Sequence, residues 1–274
     1  MNKNTLLAEI NSALETVRKS NPLAPSITNT VTINFVANAQ LACGGSAAMV
    51  YLADEGEMMA KISKSMYINM GTQFTCYPET LPRTAEACVE NGNNWVLDPV
   101  GIGIGAQRES ILKQFKESRP KIIRANASEV IALASLWELT EKTESGVRGV
   151  DSTDEVLSAK EAAVAIAKFT GGAVAVSGKV DLVTDGTTTV LCHGGSAFLP
   201  MITGAGCSLG GVCAVYGNAT TPFYAALTAT VLYNEASMKA EKKAKGPGTF
   251  QTKFLDQLYL VSSKGIKDSD IEII

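Results

Sequence analysis

The sequence predicts an α/β fold: a mostly parallel central sheet with helices on both faces. Three observations carry this. Short apolar runs alternate with helix-patterned stretches in a βαβα rhythm. Composition, 46% hydrophobic against 19% charged, suits a chain that buries much of its surface. Each candidate strand ends in a small polar or glycine cluster, as in open sheets that bind ligands beyond their carboxyl ends.

The elements follow in order. Leu6, Leu7, Ile10, Leu14 and Val17 recur at helical spacing, and Asn21-Pro22 with Pro25 end that helix. A second helix is predicted over about Thr30–Ala42, stopping at Gly44-Gly45. Strands are predicted at Ala47–Leu52, Met66–Ile68, Trp95–Leu97, Ile122–Ile123 and Ala173–Val176. Helices are placed between and after them at Pro82–Glu90, Arg108–Glu117, Ser128–Leu136 and Ala159–Phe169. Leu182–Thr184 and Thr188–Cys192 flank Asp185-Gly186 and read as a hairpin. Uncharged helices follow at Cys207–Tyr216 and Pro222–Glu235, and a last one starts after Gly246-Pro247-Gly248. The polar Glu138–Asp154 stretch reads as a surface loop. With no repeat and no long linker, residues 1–274 read as one domain.

Composition also narrows the function. A formal net charge of -3 argues against a nucleic-acid partner. No charged residue lies between Asp185 and Glu235, but glycines and prolines interrupt that stretch before it reaches the ~20 apolar residues of a membrane span. Six scattered cysteines without a C-x-x-C pair, with His193 as the one histidine, argue against structural zinc. Scattered thiols behind an N-terminus with no apolar signal core point to the cytoplasm.

The strand ends carry the chemistry. Met66–Ile68 runs into Asn69-Met70-Gly71-Thr72, Trp95–Leu97 into Asp98-Pro99, Ile122–Ile123 into Arg124-Ala125-Asn126-Ala127-Ser128-Glu129, and Ala173–Val176 into Ser177-Gly178. An acid for a hard cation, an arginine for phosphate and backbone glycines suit nucleotide-phosphate chemistry. Thr203-Gly204-Ala205-Gly206-Cys207-Ser208 opens an uncharged helix, so its amides and the helix dipole favour an anion. It is neither a Walker A loop nor a G-x-G-x-x-G motif. Plainer readings stand beside these. Asp98 also suits a turn before Pro99, Arg124 a surface salt bridge and Met49 core filling. Asn126-x-x-Glu129 matches a capping box, Asn29 can cap the following helix, and Cys207 can be a small buried filler. His193 reads as structural or solvent-exposed.

From about Ser26 to Tyr259 the chain resembles the hydroxyethylthiazole kinase family of ribokinase-like enzymes. The blocks that carry the resemblance are Ile27-Thr28-Asn29, Gly45-Ser46-Ala47-Ala48-Met49, Asn69-Met70-Gly71-Thr72, Leu97-Asp98-Pro99-Val100-Gly101, Arg124-Ala125-Asn126-Ala127-Ser128-Glu129, Gly149-Val150-Asp151-Ser152, Ser177-Gly178, Thr184-Asp185-Gly186, Thr203–Leu209 and Gly246–Phe250. Cysteine at 207 is telling, because most ribokinase-like enzymes carry aspartate there. Cys207 and the Ile27-Thr28-Asn29 block also argue against a hydroxymethylpyrimidine kinase. The alternative of another class is a non-catalytic thiazole- or nucleotide-binding protein.

The resemblance implies ATP-dependent phosphorylation of 4-methyl-5-(2-hydroxyethyl)thiazole for thiamine salvage, with Mg2+, in a homotrimer whose active sites lie between subunits. Carried over by position, Asn29, Val31, Met49 and Gly204 resemble the thiazole-binding residues. Arg124 and Ser177 resemble ATP contacts, with Asn69 and Gly206 in the same set. Asp98 and Glu129 resemble the carboxylates that organise Mg2+, and Cys207 is the candidate catalytic residue. Its place at a helix N-terminus is expected to lower the thiol pKa, with ATP phosphates opposing. Departures from the family pattern are Ala47 for the usual Pro, Pro25-Ser26 before Ile27, Ala125 for Gly and Ser177 for Thr. They bear on substrate fit rather than reaction type. All of this requires the amides opening the Cys207 helix to face the same cleft as Asp98.

Overall fold

The computed structural model describes residues 1–140 and 156–274. Among the described residues, nine strands form one sheet in the order β2-β1-β3-β4-β5-β6-β7-β8-β9. They are β1 (Leu23–Ile27), β2 (Ser46–Met49), β3 (Tyr67–Asn69), β4 (Val96–Asp98), β5 (Ile122–Asn126), β6 (Ala173–Ser177), β7 (Asp181–Thr184), β8 (Thr189–Cys192) and β9 (Ile271–Ile273). The strands from β2 through β6 pair in parallel, and β7, β8 and β9 add antiparallel ladders at one edge.

Helices cover the faces, among them α1 (Lys3–Ser20), α2 (Ile33–Ala42), α3 (Ala53–Ile62), α4 (Tyr77–Glu90), α5 (Ala106–Ser118), α6 (Ala127–Leu136), α7 (Lys160–Thr170), α8 (Ala205–Gly217), α9 (Pro222–Glu241) and α10 (Pro247–Lys264). Asn2 caps α1, its side chain accepting from the Thr5 N–H at 3.0 Å, and the chain leaves through left-handed Asn21. α8 and α9 carry almost no polar face and are buried nearly throughout, which explains the missing charges. No helix among the described residues is long and apolar enough to cross a membrane.

Period-two alternation divides the strand side chains between two cores. Ala24, Tyr67, Val96, Ile122, Ala173 and Ala175 face α1, α2, α8, α9 and α10. Ile27, Ile68, Leu97, Ile123, Ala125, Val174 and Val176 face α4 to α7.

The expected α/β architecture, the hairpin and most elements are present, with three additions. β1 lies where only a helix break was expected. The Ser46 and Val50 N–H groups donate to the carbonyls of Pro22 and Ser26, at 2.8 and 3.1 Å, so the even positions of β1 serve β2. Pro25 therefore faces β3, whose ladder starts at Ser26, and its missing N–H costs nothing. β2 ends at Met49, short of the expected Leu52, because α3 begins at Ala53. β9 closes the far edge. The Glu138–Asp154 loop lies almost wholly outside the described residues, as does the Gly149–Ser152 block.

Candidate functional site

The row of polar groups follows from strand parity. Asn69 lies two residues after Tyr67, Asp98 two after Val96 and Arg124 two after Ile122, so all three side chains continue the sheet face that meets α8. Asn69 and Asp98 are opposite one another in register. Both are fully buried, and Arg124 is nearly so. α8 packs on β1, β3, β4 and β5, bringing its N-terminus to these strand ends. The Ser208 N–H makes the first helical bond to the Gly204 carbonyl at 2.8 Å. The amides of Ala205, Gly206 and Cys207 thus precede the helical ladder and can turn to an anion.

Arg124 lies against this cradle. A Cβ on Gly206 would stand 2.5 Å from Arg124 Nη1, so only glycine admits the guanidinium there. Arg124 Nη1 is 3.5 Å from Asp98 Oδ2. A chain of hydrogen bonds extends from this pair. Tyr67 Oη donates to Asp98 Oδ2 at 3.0 Å and accepts from Asn69 Nδ2 at 2.9 Å. Asn29 Nδ2 donates to Asn69 Oδ1 at 2.9 Å and approaches Cys207 Sγ at 3.5 Å. Gly204 abuts Thr32 and Phe35, tying the loop before α2 to the cradle.

The electrostatics follow from burial. Loss of water pushes the Asp98 carboxyl up to about 6, Arg124 opposes this and Glu129 adds to it. Burial works against charge on Arg124, yet Asp98 and Glu129 keep it firmly protonated. Cys207 goes against the expectation from its helix position. Burial, then the neighbouring Asp98, raises its pKa, and Arg124 only partly offsets them. The thiol is held in its protonated form.

Beside the cradle opens a cleft of about 680 Å³, lined by Arg124, Ser177, Gly204, Gly206 and Cys207, among others. The structure thus brings these five predicted residues together, with Asp98 behind Arg124 and with Asn69 and Asn29 joined by hydrogen bonds. Val31 and Met49 do not line this cleft. Val31 is 72% exposed, and Met49 sits half-buried on edge strand β2. Asn29 does not cap α2, whose N-cap is Thr32. Glu129 does form the capping box: its Oε2 accepts the Asn126 N–H at 2.9 Å. His193 is partly exposed, 3.9 Å from Glu272.

Sequence reasoning missed four residues here. Tyr67 lies inside the predicted Met66–Ile68 strand, which gave it no role in the site. Asp181, inside the cleft wall, accepts from the Gly178 N–H and from Asn234 Nδ2, each at 3.0 Å. Asn234 and Tyr233, which also line the cleft, sit in α9, where the sequence offers only an uncharged helix.

Asp98 Oδ1 is buried without a hydrogen-bond partner. No group of three or more His, Cys, Asp or Glu gathers among the described residues. One free carboxylate oxygen beside a phosphate cradle fits Mg2+ that arrives on a nucleotide, a mode needing one or two carboxylates, and does not fit an all-protein cage.

A mostly parallel sheet with an amide cradle, a buried acid–arginine pair and a roomy cleft at its strand ends is an arrangement that can bind a phosphorylated small molecule. A ribokinase-like superfamily protein from Enterococcus faecalis has the same fold, with a TM-score of 0.59 at 12% identity over 88% of this chain and 86% of that one. The model of the hydroxyethylthiazole kinase family matches residues 14–264. A hydroxyethylthiazole kinase of Bifidobacterium adolescentis is 50% identical over 278 residues, 97% of this chain and 95% of that protein. The solved hydroxyethylthiazole kinase of Pyrococcus horikoshii superposes with a TM-score of 0.85 at 30% identity, over 97% and 98% of the two chains. The chain belongs to the hydroxyethylthiazole kinase family.

Proposed function

We propose that the chain transfers the γ-phosphoryl group of ATP to the hydroxyl of 4-methyl-5-(2-hydroxyethyl)thiazole, a step of thiamine salvage. The observation that carries this is the meeting of the α8 amides and Arg124 at one cleft, with Asp98 buried behind Arg124 and paired to it. Phosphoryl transfer needs alignment and charge neutralisation more than covalent chemistry, and this arrangement supplies both.

In this reading the amides of Ala205 to Cys207 receive the equatorial oxygens of the transferring group. Arg124 grips a phosphate, while Ser177, Asn69 and Gly206 complete the nucleotide side. Asp98, with Glu129 beyond it, would hold Mg2+, which would neutralise charge on the phosphate oxygens. Asn29 and Gly204 hold the thiazole. Cys207 meets the substrate hydroxyl; because burial keeps the thiol protonated, it packs against the alcohol and does not take its proton.

Val31 and Met49 complete the thiazole site in a homotrimer whose sites lie between subunits. Exposed Val31, Leu41, Leu52, Met58 and Ile62, in or beside the elements around edge strand β2, support such an interface. We read residues 1–274 as one kinase domain, since the sheet takes strands from both ends of the chain. Six unpaired cysteines support a cytoplasmic location, and the net charge of -3 supports small molecules rather than nucleic acid as partners.

The test is an ATP-coupled assay with the thiazole alcohol and the hydroxymethylpyrimidine alcohol side by side. ADP release driven by the thiazole is expected. Release with the pyrimidine alone would make the chain a kinase of that vitamin precursor. Release with neither, from folded protein, would leave a binding protein.

A further inference from the structure

Tyr67 is fully buried, and its hydroxyl is fully used. It donates to Asp98 Oδ2 and accepts from Asn69 Nδ2. A strand position facing a helix needs only apolar filling, and a buried hydroxyl is costly unless bonded on all sides. The ring also demands a concession from α8. A Cβ on Gly210 would stand 2.4 Å from the Tyr67 ring, at Cε2, and 2.8 Å from its hydroxyl oxygen. Glycine inside a helix is markedly worse than alanine, and α8 accepts it in its middle. A leucine or valine in the strand opposite an alanine in the helix would pack the same space without a polar group or a glycine. The phenol is therefore retained for what its hydroxyl touches.

What it touches is the acid of the site. With Oδ2 engaged by Tyr67 and by Arg124 at 3.5 Å, Asp98 keeps Oδ1 as its one uncommitted donor atom. The same hydroxyl anchors Asn69, whose amide oxygen receives Asn29, which in turn reaches the Cys207 sulfur. Both ends of the site, the acid beside the phosphate cradle and the thiol, thus depend on one phenol.

We propose that Tyr67, seated in the notch left by Gly210, is a positioning residue for phosphoryl transfer: it fixes Asp98 with Oδ1 available to the nucleotide-borne cation and aligns Asn29 at Cys207. This rests on the kinase reading and adds a residue to it. The action is indirect, since Tyr67 reaches neither nucleotide nor alcohol except through Asp98, Asn69 and Asn29.

Tyr67→Phe tests it, keeping the ring and removing the oxygen. A non-hydrolysable ATP analogue is titrated calorimetrically into parent and variant, once with Mg2+ and once with EDTA. The expected result is unchanged affinity in EDTA and a loss of about tenfold in the affinity gained from Mg2+, the scale of one hydrogen bond to a charged group. In turnover, kcat falls about tenfold while KM for the thiazole alcohol stays within about twofold. Gly210→Ala, read by the same titration, gives the same selective loss even though alanine favours a helix; it decides the matter if Tyr67→Phe does not fold. Variants that keep both the Mg2+-linked gain and kcat within about twofold of the parent overturn the proposal. A parent whose nucleotide affinity ignores Mg2+ overturns it too. A parent that binds with Mg2+ but phosphorylates no thiazole defeats the kinase reading instead, and the titration still judges Tyr67.

Discussion

The two faces of the sheet are built from alternate residues of the same strands, yet they differ in kind. Toward α4 to α7 the strands present Ile68, Leu97, Ile123, Val174 and Val176, all fully buried and apolar. Toward α8 the neighbouring positions run from Tyr67, Val96 and Ile122 into Asn69, Asp98 and Arg124. A shift of one residue along β4 separates a core leucine from the acid of the site. Both faces hold a large apolar core, but at the strand ends the α8 face gives up apolar packing to hold a carboxylate and a guanidinium out of water.

Changes on the polar face should break activity and spare the fold. Asp98→Asn has the largest expected effect: kcat falls about 10²–10³-fold, the range expected when several kcal/mol of charge stabilisation is lost. Its pH signature differs from that of an exposed acid. Burial raises the Asp98 pKa to about 6 from the ordinary 3.8. Between these values the folded state binds the extra proton, so its stabilising contribution is complete below about 4 and disappears as pH rises through about 6. In urea melts from pH 4 to 6, the parent should therefore lose stability relative to Asp98→Asn.

Cys207→Ala ranks next, with turnover reduced about tenfold at pH 7, below the roughly 10²–10⁴-fold of a full general base. The raised thiol pKa is the reason. Turnover matching the parent at every pH from 6 to 9 would remove Cys207 from the reaction. The smallest effect on activity belongs to the apolar face. Leu97→Ala should cost about 2–5 kcal/mol of stability while leaving kcat of the folded fraction within about twofold. A large kcat loss there would show that the two faces do not act separately.

Much of this was legible in the sequence. The amphipathic spacing of α1, the strand ends at Asn69, Asp98, Arg124 and Ser177, and the glycine-rich start of α8 all follow from local pattern. What was not legible depends on partners distant in sequence. Pro25 looked like a breaker because only the ladder with β3 reveals that its amide is not needed. α3 was missed because it carries Gly56, whose absent side chain lets Thr84 of α4 approach to where a Cβ would be 2.0 Å from its hydroxyl. Tyr67 drew no functional reading, since nothing local says that its hydroxyl meets Asp98, 31 positions on. The Cys207 pKa reversed for a similar reason. The helix dipole is visible in the sequence, whereas burial and the Asp98 charge come from the assembled fold.

The helix that seals the polar face has a consequence for biosynthesis. α8 begins at Ala205, so the strands bearing Asn69, Asp98 and Arg124 leave the ribosome well before their lid. Until α8 docks, the Asp98–Arg124 pair lies open to water and the amide cradle does not exist. Contacts of such long sequence separation form late, so the candidate site should be among the last parts of the nascent chain to assemble.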